Sequence, residues 1–284
     1  MKEPYKIWLL EYAMAESAVS AMIYGRHNEG TMYVPFGILV LQGNGHTIAL
    51  DSGHFSEGYA CELEKKFSVR NTQPLEKVFA RIGLSGEDFD AVIITHAHWD
   101  HMGGIKAFPR ARFYLQKKEM LDWVEILAMP PAYADLCGGI NPDDMRQAFE
   151  LILQGRMTLL DGAVDDLLPG VSVVPAFNSH TYGSQFVTIQ RKPGDSADRW
   201  VFTGDACYSL DNFGKDGKGP YVPLGYGVGS NTDTIRALTV MYEKAQGRLE
   251  RIIITHEPAN WKIFKTSVNG DGLHTAEIQT TGSD

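Results

Sequence analysis

The stretch Thr95-His96-Ala97-His98-Trp99-Asp100-His101 constrains this chain more than any other. Three histidines and one aspartate fall within six residues, in a chain with 9 histidines among 284 residues. The residues before it, Asp90-Ala91-Val92-Ile93-Ile94, are a short, largely β-branched run that reads as a buried strand. The histidines therefore sit where a strand ends and a loop begins, a usual place for ligands on a rigid scaffold. Neutral imidazole and carboxylate are donors that borderline divalent metals such as zinc prefer. In a sharp turn His96 and His98 could face one metal, and Asp100 and His101 a second. Solvated loop histidines are the plain alternative, but so dense a cluster rarely arises by chance.

Along the chain, residues 5–13 read as an opening strand and 14–34 as a loop. Residues 34–41 read as a strand entered through Pro35 at its edge. Gly43-Asn44-Gly45 marks a hairpin, and the return strand 47–50 delivers Asp51-Ser52-Gly53-His54. Asp51 is either a turn former or a group steadying a neighbouring site; His54 reads as a loop residue. Residues 57–67 and 73–82 have a helical pattern, and Gly83 is placed to stop the second. Strands are expected at 90–95, 113–115, 157–160, 171–177, 185–190 and 199–203. Helices are expected at 117–128, near 142–153, and from Ser230 to about Gln246. The segment 117–156 carries Trp123, Leu127, Met129, Tyr133, Met145 and Phe149, either as a satellite core or as the apolar lid of a pocket. The glycine-rich stretch 212–229 reads as a long loop of the kind that is often functional. The tail from about 266 is polar and reads as loosely held.

Single residues of the same chemistry recur at later strand ends: His180, Asp205 and His256. The run Arg251-Ile252-Ile253-Ile254-Thr255-His256 nearly copies Ala91-Val92-Ile93-Ile94-Thr95-His96. Such an echo suggests two similar halves, with sheets packed together and helices outside. Each late residue is weak evidence alone. Added to the cluster, they supply His96, His98 and His180 for one metal, and Asp100, His101 and His256 for the other. Asp205 could bridge the two, since a carboxylate has two oxygens. A pair of metals a few ångströms apart is a hydrolytic device that needs no nucleophilic serine, and there is no G-x-S-x-G elbow.

A formal net charge of −9 argues against a non-specific binder of phosphate backbones. Cys61, Cys137 and Cys207 are too few for a disulfide framework and fit a reducing compartment. The apolar run Ile7-Trp8-Leu9-Leu10 is too short for a signal-peptide core, and no run suits a membrane span. Cytoplasmic residence is the expectation, without nucleic-acid or membrane partners.

The pattern His96-x-His98-x-Asp100-His101, then His180, Asp205 and His256, resembles the metallo-β-lactamase superfamily across nearly the whole chain. The resemblance implies one α/β domain over 1–284, a four-layer αβ/βα sandwich of two mixed sheets flanked by helices. It implies a dinuclear centre with two divalent ions per chain, zinc foremost, and Asp51 buttressing the motif loop. Asp205-Ala206-Cys207-Tyr208 resembles the Asp-Ala-x-Tyr of the N-acyl homoserine lactonase-like branch. There the hydroxyl of Tyr208 would hold the developing oxyanion or the leaving group; a packed aromatic is the alternative. The implied reaction is the opening of a small lactone ring by a metal-bridging hydroxide, with Asp100 relaying a proton to the leaving alkoxide. A thioesterase or cyclic amide hydrolase on the same metals is the alternative, and a non-hydrolytic metal-binding protein a third. A diiron electron-transfer member would carry Glu in place of His98. Two departures, Thr181-Tyr182-Gly183 for Thr-Pro-Gly and His256-Glu257 for His-Asp, leave the acyl-homoserine-lactone substrate open. Assembly as a homodimer is an expectation by analogy.

Overall fold

The computed structural model describes residues 3–278. The first half of the chain forms β1 (Lys6–Ala18), α1 (Val19–Met22), β2 (Thr31–Gly43), β3 (His46–Leu50), α2 (Ala60–Lys66) and α3 (Leu75–Ala80). Next come β4 (Ala91–Ile93), α4 (Trp99–Met102), β5 (Arg112–Gln116), α5 (Lys117–Leu127), α6 (Pro142–Leu153) and β6 (Met157–Leu160). The second half forms β7 (Val164–Leu168), β8 (Val171–Pro175), β9 (Gln185–Gln190), β10 (Arg199–Phe202) and α7 (Asn231–Lys244). It closes with β11 (Ile252–Ile253), α8 (Asn260–Ile263), β12 (Lys265–Val268) and β13 (His274–Ile278).

One sheet has the order β12-β13-β1-β2-β3-β4-β5-β6 and the other β11-β10-β9-β8-β7. Both are mixed: β3 to β6 run parallel, as do β10 and β11, while the remaining pairs are antiparallel. Strand periodicity explains the layering. Ile7, Leu9, Leu39, Leu41, Ile48, Leu50 and Ile93 face the other sheet, where they meet Val171, Val187, Ile189, Trp200 and Phe202. Their alternate neighbours Leu10, Ile38, Val40, Ala49 and Val92 pack outward on Leu75, Val78, Phe79, Met120, Trp123 and Ala148 of the helices. On the far side Phe186, Val201 and Ile252 pack against Ala237, Leu238 and Met241 of α7. The result is the expected αβ/βα sandwich, with apolar runs buried on both faces.

Several local expectations change. Residues 14–34 are largely not loop: β1 runs on to Ala18 and pairs with Thr31–Phe36. Ala, Glu and Ser have poor strand propensity, and the long-range pairing overrides it. Pro35 lies inside β2, but β3 pairs only with Leu39–Gly43, so the missing N–H falls outside that ladder. The tail is not loose within the described residues. The strand β13 pairs with β1, and buried Glu11 accepts hydrogen bonds from the backbone N–H (2.8 Å) and Nδ1 (2.6 Å) of His274. The edge strand β7, Val-Asp-Asp-Leu-Leu, carries no alternation to reveal it.

Candidate metal centre

The parallel strands end at one rim of the sandwich, and the site is built there. Beyond β4 the chain bends at Thr95 and again at His98, which brings the imidazoles of His96 and His98 together with ring centroids 4.6 Å apart. The neighbouring amides each find a partner. Thr95 N–H donates to Asp51 Oδ1 (2.6 Å), Ala97 N–H to Glu119 Oε1 (2.8 Å), and Trp99 N–H to the Gly139 carbonyl (2.9 Å). The short helix α4 then turns Asp100 and His101 toward the same space. Tyr12 props this turn. A β-bulge in β1 leaves Tyr12 unpaired between Glu11 and Ala13, and its hydroxyl donates to the Asp100 carbonyl (2.9 Å).

All seven residues expected as ligands converge, and all are buried. His98 Nδ1 lies 2.9 Å from His180 Nε2. The two oxygens of Asp205 face different neighbours. Its Oδ2 is 3.7 Å from His96 Nε2 and 3.5 Å from His180 Nε2. Its Oδ1 is 3.1 Å from His101 Nε2 and 3.2 Å from His256 Nε2. Asp100 Oδ2 completes the second group, 3.3 Å from His101 Nε2 and 3.6 Å from His256 Nε2. Two donor sets therefore share one carboxylate: His96, His98, His180 and Asp205, and Asp100, His101, Asp205 and His256.

The outward nitrogens fix the tautomers. His101 Nδ1 faces Asp51 Oδ2 at 2.7 Å, His256 Nδ1 the Pro35 carbonyl at 2.7 Å, and His180 Nδ1 the Tyr226 carbonyl at 3.3 Å. His96 Nδ1 lies 3.1 Å from Thr95 Oγ1, which itself donates to Asp51 Oδ2 (2.9 Å). Each of these partners accepts, so Nδ1 carries a proton and Nε2 is the atom turned inward, able to offer a lone pair. Inside, His96 Nε2, His101 Nε2 and Asp205 Oδ1 are buried without a hydrogen-bond partner. Convergent buried lone pairs are costly unless a cation meets them, and imidazole with carboxylate suits a divalent ion. The residues fit a metal.

Electrostatics divide the two groups. Burial pushes the imidazoles of His96, His98 (to about 3) and His180 below their usual range, which keeps them neutral. Burial opposes charge on His101 and His256 too, but the carboxylates of Asp205 and Asp100 outweigh it and raise both. Asp100 is resisted by burial yet held down to about 2, chiefly by His101. Tyr208 lies beside the centre, its hydroxyl 3.4 Å from His180 Nδ1. Burial, then the charges of Asp205 and Asp100, push its pKa well up, so it stays a neutral donor.

A cavity of about 350 Å³ opens over the centre. Its walls are Met22, Val34, Phe36, Phe67, Trp99 and Tyr226, with Lys66 and Asp135 also lining it. The segment 117–156 therefore supplies little of the apolar wall. Trp123 and Met145 are buried in the core, while Tyr133 and Phe149 are exposed. The wall comes instead from the β1–β2 region, from Phe67 and Trp99, and from Tyr226 in the glycine-rich loop.

The sequence reading missed three polar groups. His54 lies in the loop between β3 and α2, as expected, but it is buried, its Nδ1 3.1 Å from Tyr12 Oη and its Nε2 2.9 Å from Glu64 Oε1, with its ring 4.1 Å from that of Trp99. Tyr12 and Glu119 were likewise not singled out. Nothing local marks them, because their partners are far away in the chain.

Fold and site together define an αβ/βα sandwich with a divalent-metal site at its strand ends. The family model described as the metallo-beta-lactamase superfamily matches residues 38–159. It is 26% identical over 245 residues to the N-acyl homoserine lactonase AttM of Rhizobium johnstonii, covering 82% of this chain and 84% of that protein. Among solved structures it is similar to a quorum-quenching N-acyl homoserine lactone lactonase, with a TM-score of 0.68 at 18% identity over 93% of this chain and 98% of the other. It is also similar to AidC, a dizinc quorum-quenching lactonase, with a TM-score of 0.66 at 16% identity over 100% of this chain and 97% of the other.

Proposed function

We propose that this protein is a dinuclear metal-dependent hydrolase that opens the ring of a small lactone. The observation that carries the reading is Asp205, whose Oδ2 faces His96 and His180 and whose Oδ1 faces His101 and His256, so that it belongs to both donor sets. The lactonase relatives support the ester class of substrate. His96, His98 and His180 with Asp205 would hold one ion, and Asp100, His101 and His256 with Asp205 the other, zinc being the ion this donor set suits best. When bound, such a pair supplies an activated water and Lewis acidity at neutral pH.

The chain supplies the rest. The apolar wall of Phe36, Phe67, Trp99 and Tyr226 holds the ring and its substituent and excludes water. Tyr208 Oη, kept protonated, donates a hydrogen bond to the oxygen on which charge develops. Asp100 Oδ2 faces the centre and takes and returns a proton transiently on the way to the leaving alkoxide.

The test is elemental analysis of the purified protein on the same sample as a pH-stat panel of lactones, thioesters and cyclic amides. Two metals per chain with proton release from a lactone is the expected result. Two metals with turnover only of thioesters or cyclic amides would move the substrate class. A protein that binds no metal would end the reading.

A further inference from the structure

One buried carboxylate stands between the two loops that carry the first histidine set. Glu119, in the first turn of α5, is fully buried and accepts four hydrogen bonds. Its Oε1 accepts from Ala97 N–H (2.8 Å) and Trp123 Nε1–H (2.8 Å). Its Oε2 accepts from Thr181 Oγ1–H (2.8 Å) and Gly183 N–H (2.6 Å). Ala97 lies between His96 and His98, and Thr181 directly follows His180. A single side chain thus spans both loops, tied within one residue of each of the three imidazoles. The loop beyond His180 comes so near that a methyl group on Gly183 would lie 2.1 Å from Glu119 N.

We infer that Glu119 is a positioning residue that sets the mutual geometry of His96, His98 and His180, and so the affinity of that set for a divalent ion. The inference rests on the metal reading above. Four donors arriving from two sides need a group with two acceptor oxygens, and the carboxylate of Glu119 offers both. Glutamine has the same shape but one oxygen, and its amide would meet at least one donor with another donor. The second donor set is held by other means: His101 by Asp51, His256 by the Pro35 carbonyl, and the Asp100 backbone by Tyr12. The effect of Glu119 is therefore one-sided.

The experiment uses the full chain stripped of metal, titrated with Zn2+ against a chromophoric chelator and with Co2+ by visible absorption. The wild type is expected to bind in two steps. In Glu119→Gln one step weakens about 10–100-fold and its Co2+ bands shift, while the other step stays within about threefold. Thr181→Val removes a single donor and gives a smaller loss at the same step, which keeps the test open if Glu119→Gln does not fold. Two unchanged steps in these variants would overturn the inference. So would parallel weakening of both steps that tracks a fall in Tm, since that marks general support. A wild type that binds no Zn2+ or Co2+ sinks the metal reading itself, an outcome distinct from indifference to Glu119.

Discussion

Asp51→Asn is the sharpest probe of how the site is held. Asp51 accepts three hydrogen bonds in a fully buried position, from Thr95 N–H, Thr95 Oγ1–H and His101 Nδ1. It sits at φ 65°, a region that asparagine tolerates as well as aspartate, so backbone strain is unchanged. If the amide oxygen keeps the Thr95 N–H bond, the new NH2 faces Thr95 Oγ1 and His101 Nδ1–H. The threonine hydroxyl can turn and accept. His101 cannot, unless it moves its proton to Nε2, and then it no longer presents a lone pair to the centre. One buried donor–donor conflict costs about 1–3 kcal/mol. For 284 residues the unfolding entropy is about 0.6 kcal/mol per kelvin, so Tm should fall by roughly 2–5 °C in the metal-free protein. Metal affinity should fall about 10–100-fold. Calorimetry and chelator competition read the two effects, and 15N imidazole shifts read the tautomer. A variant with Tm within about 1 °C of the wild type and unchanged affinity would refute the reasoning.

Tyr208→Phe should lower kcat about 10–100-fold with metal content unchanged, because it removes a donor and no ligand; equal turnover would exclude the hydroxyl from the reaction. Gly183→Ala forces the His180 loop away from α5 and should destabilise by about 1–3 kcal/mol, read as a lower urea midpoint; an unmoved midpoint would show that the contact yields freely. The Asp144 carboxyl, pushed up to about 7 by burial and then by Asp143, binds its proton more tightly folded than unfolded. Its ionisation therefore removes stability as pH rises from the unfolded value of about 4 through about 7. Asp144→Asn should raise Tm at pH 8, with the gain vanishing toward pH 4, and a pH-independent gain would count against the assignment.

Much of the centre was legible because its ligands follow a local rule. His96 and His256 each close an apolar run, and Ile-Thr-His twice announces a buried strand that stops at an imidazole. The four layers were expected from the resemblance and the Ile-Thr-His echo, not from alternation: Ile38-Leu39-Val40-Leu41 is a continuous apolar run because the strand is buried on both faces. What stayed hidden depends on contacts distant in sequence. Residues 14–18 look like loop until Thr31–Phe36 pair with them. Tyr12 and Glu119 gain meaning only when Asp100 and Ala97 arrive beside them, and Phe67 and Tyr226 only when they close on the same cavity.

The support also explains an asymmetry among the five histidines. Four have an outward nitrogen with an acceptor in reach. His98 is the exception: it turns Nδ1 inward, and its Nε2 is buried without a partner, packed against Gly139. Among the described residues no outward acceptor fixes its ring, so beyond the inward contact with His180 Nε2 (2.9 Å) its orientation comes from the backbone on either side. That backbone is pinned twice, by Glu119 at Ala97 N–H and by the Gly139 carbonyl at Trp99 N–H. Gly139 thus meets His98 both ways, holding the next amide and facing the ring, where a Cβ would come within 3.0 Å of it. Where a side-chain brace is missing, main-chain fixation replaces it, and the least braced ligand is the one whose loop Glu119 anchors.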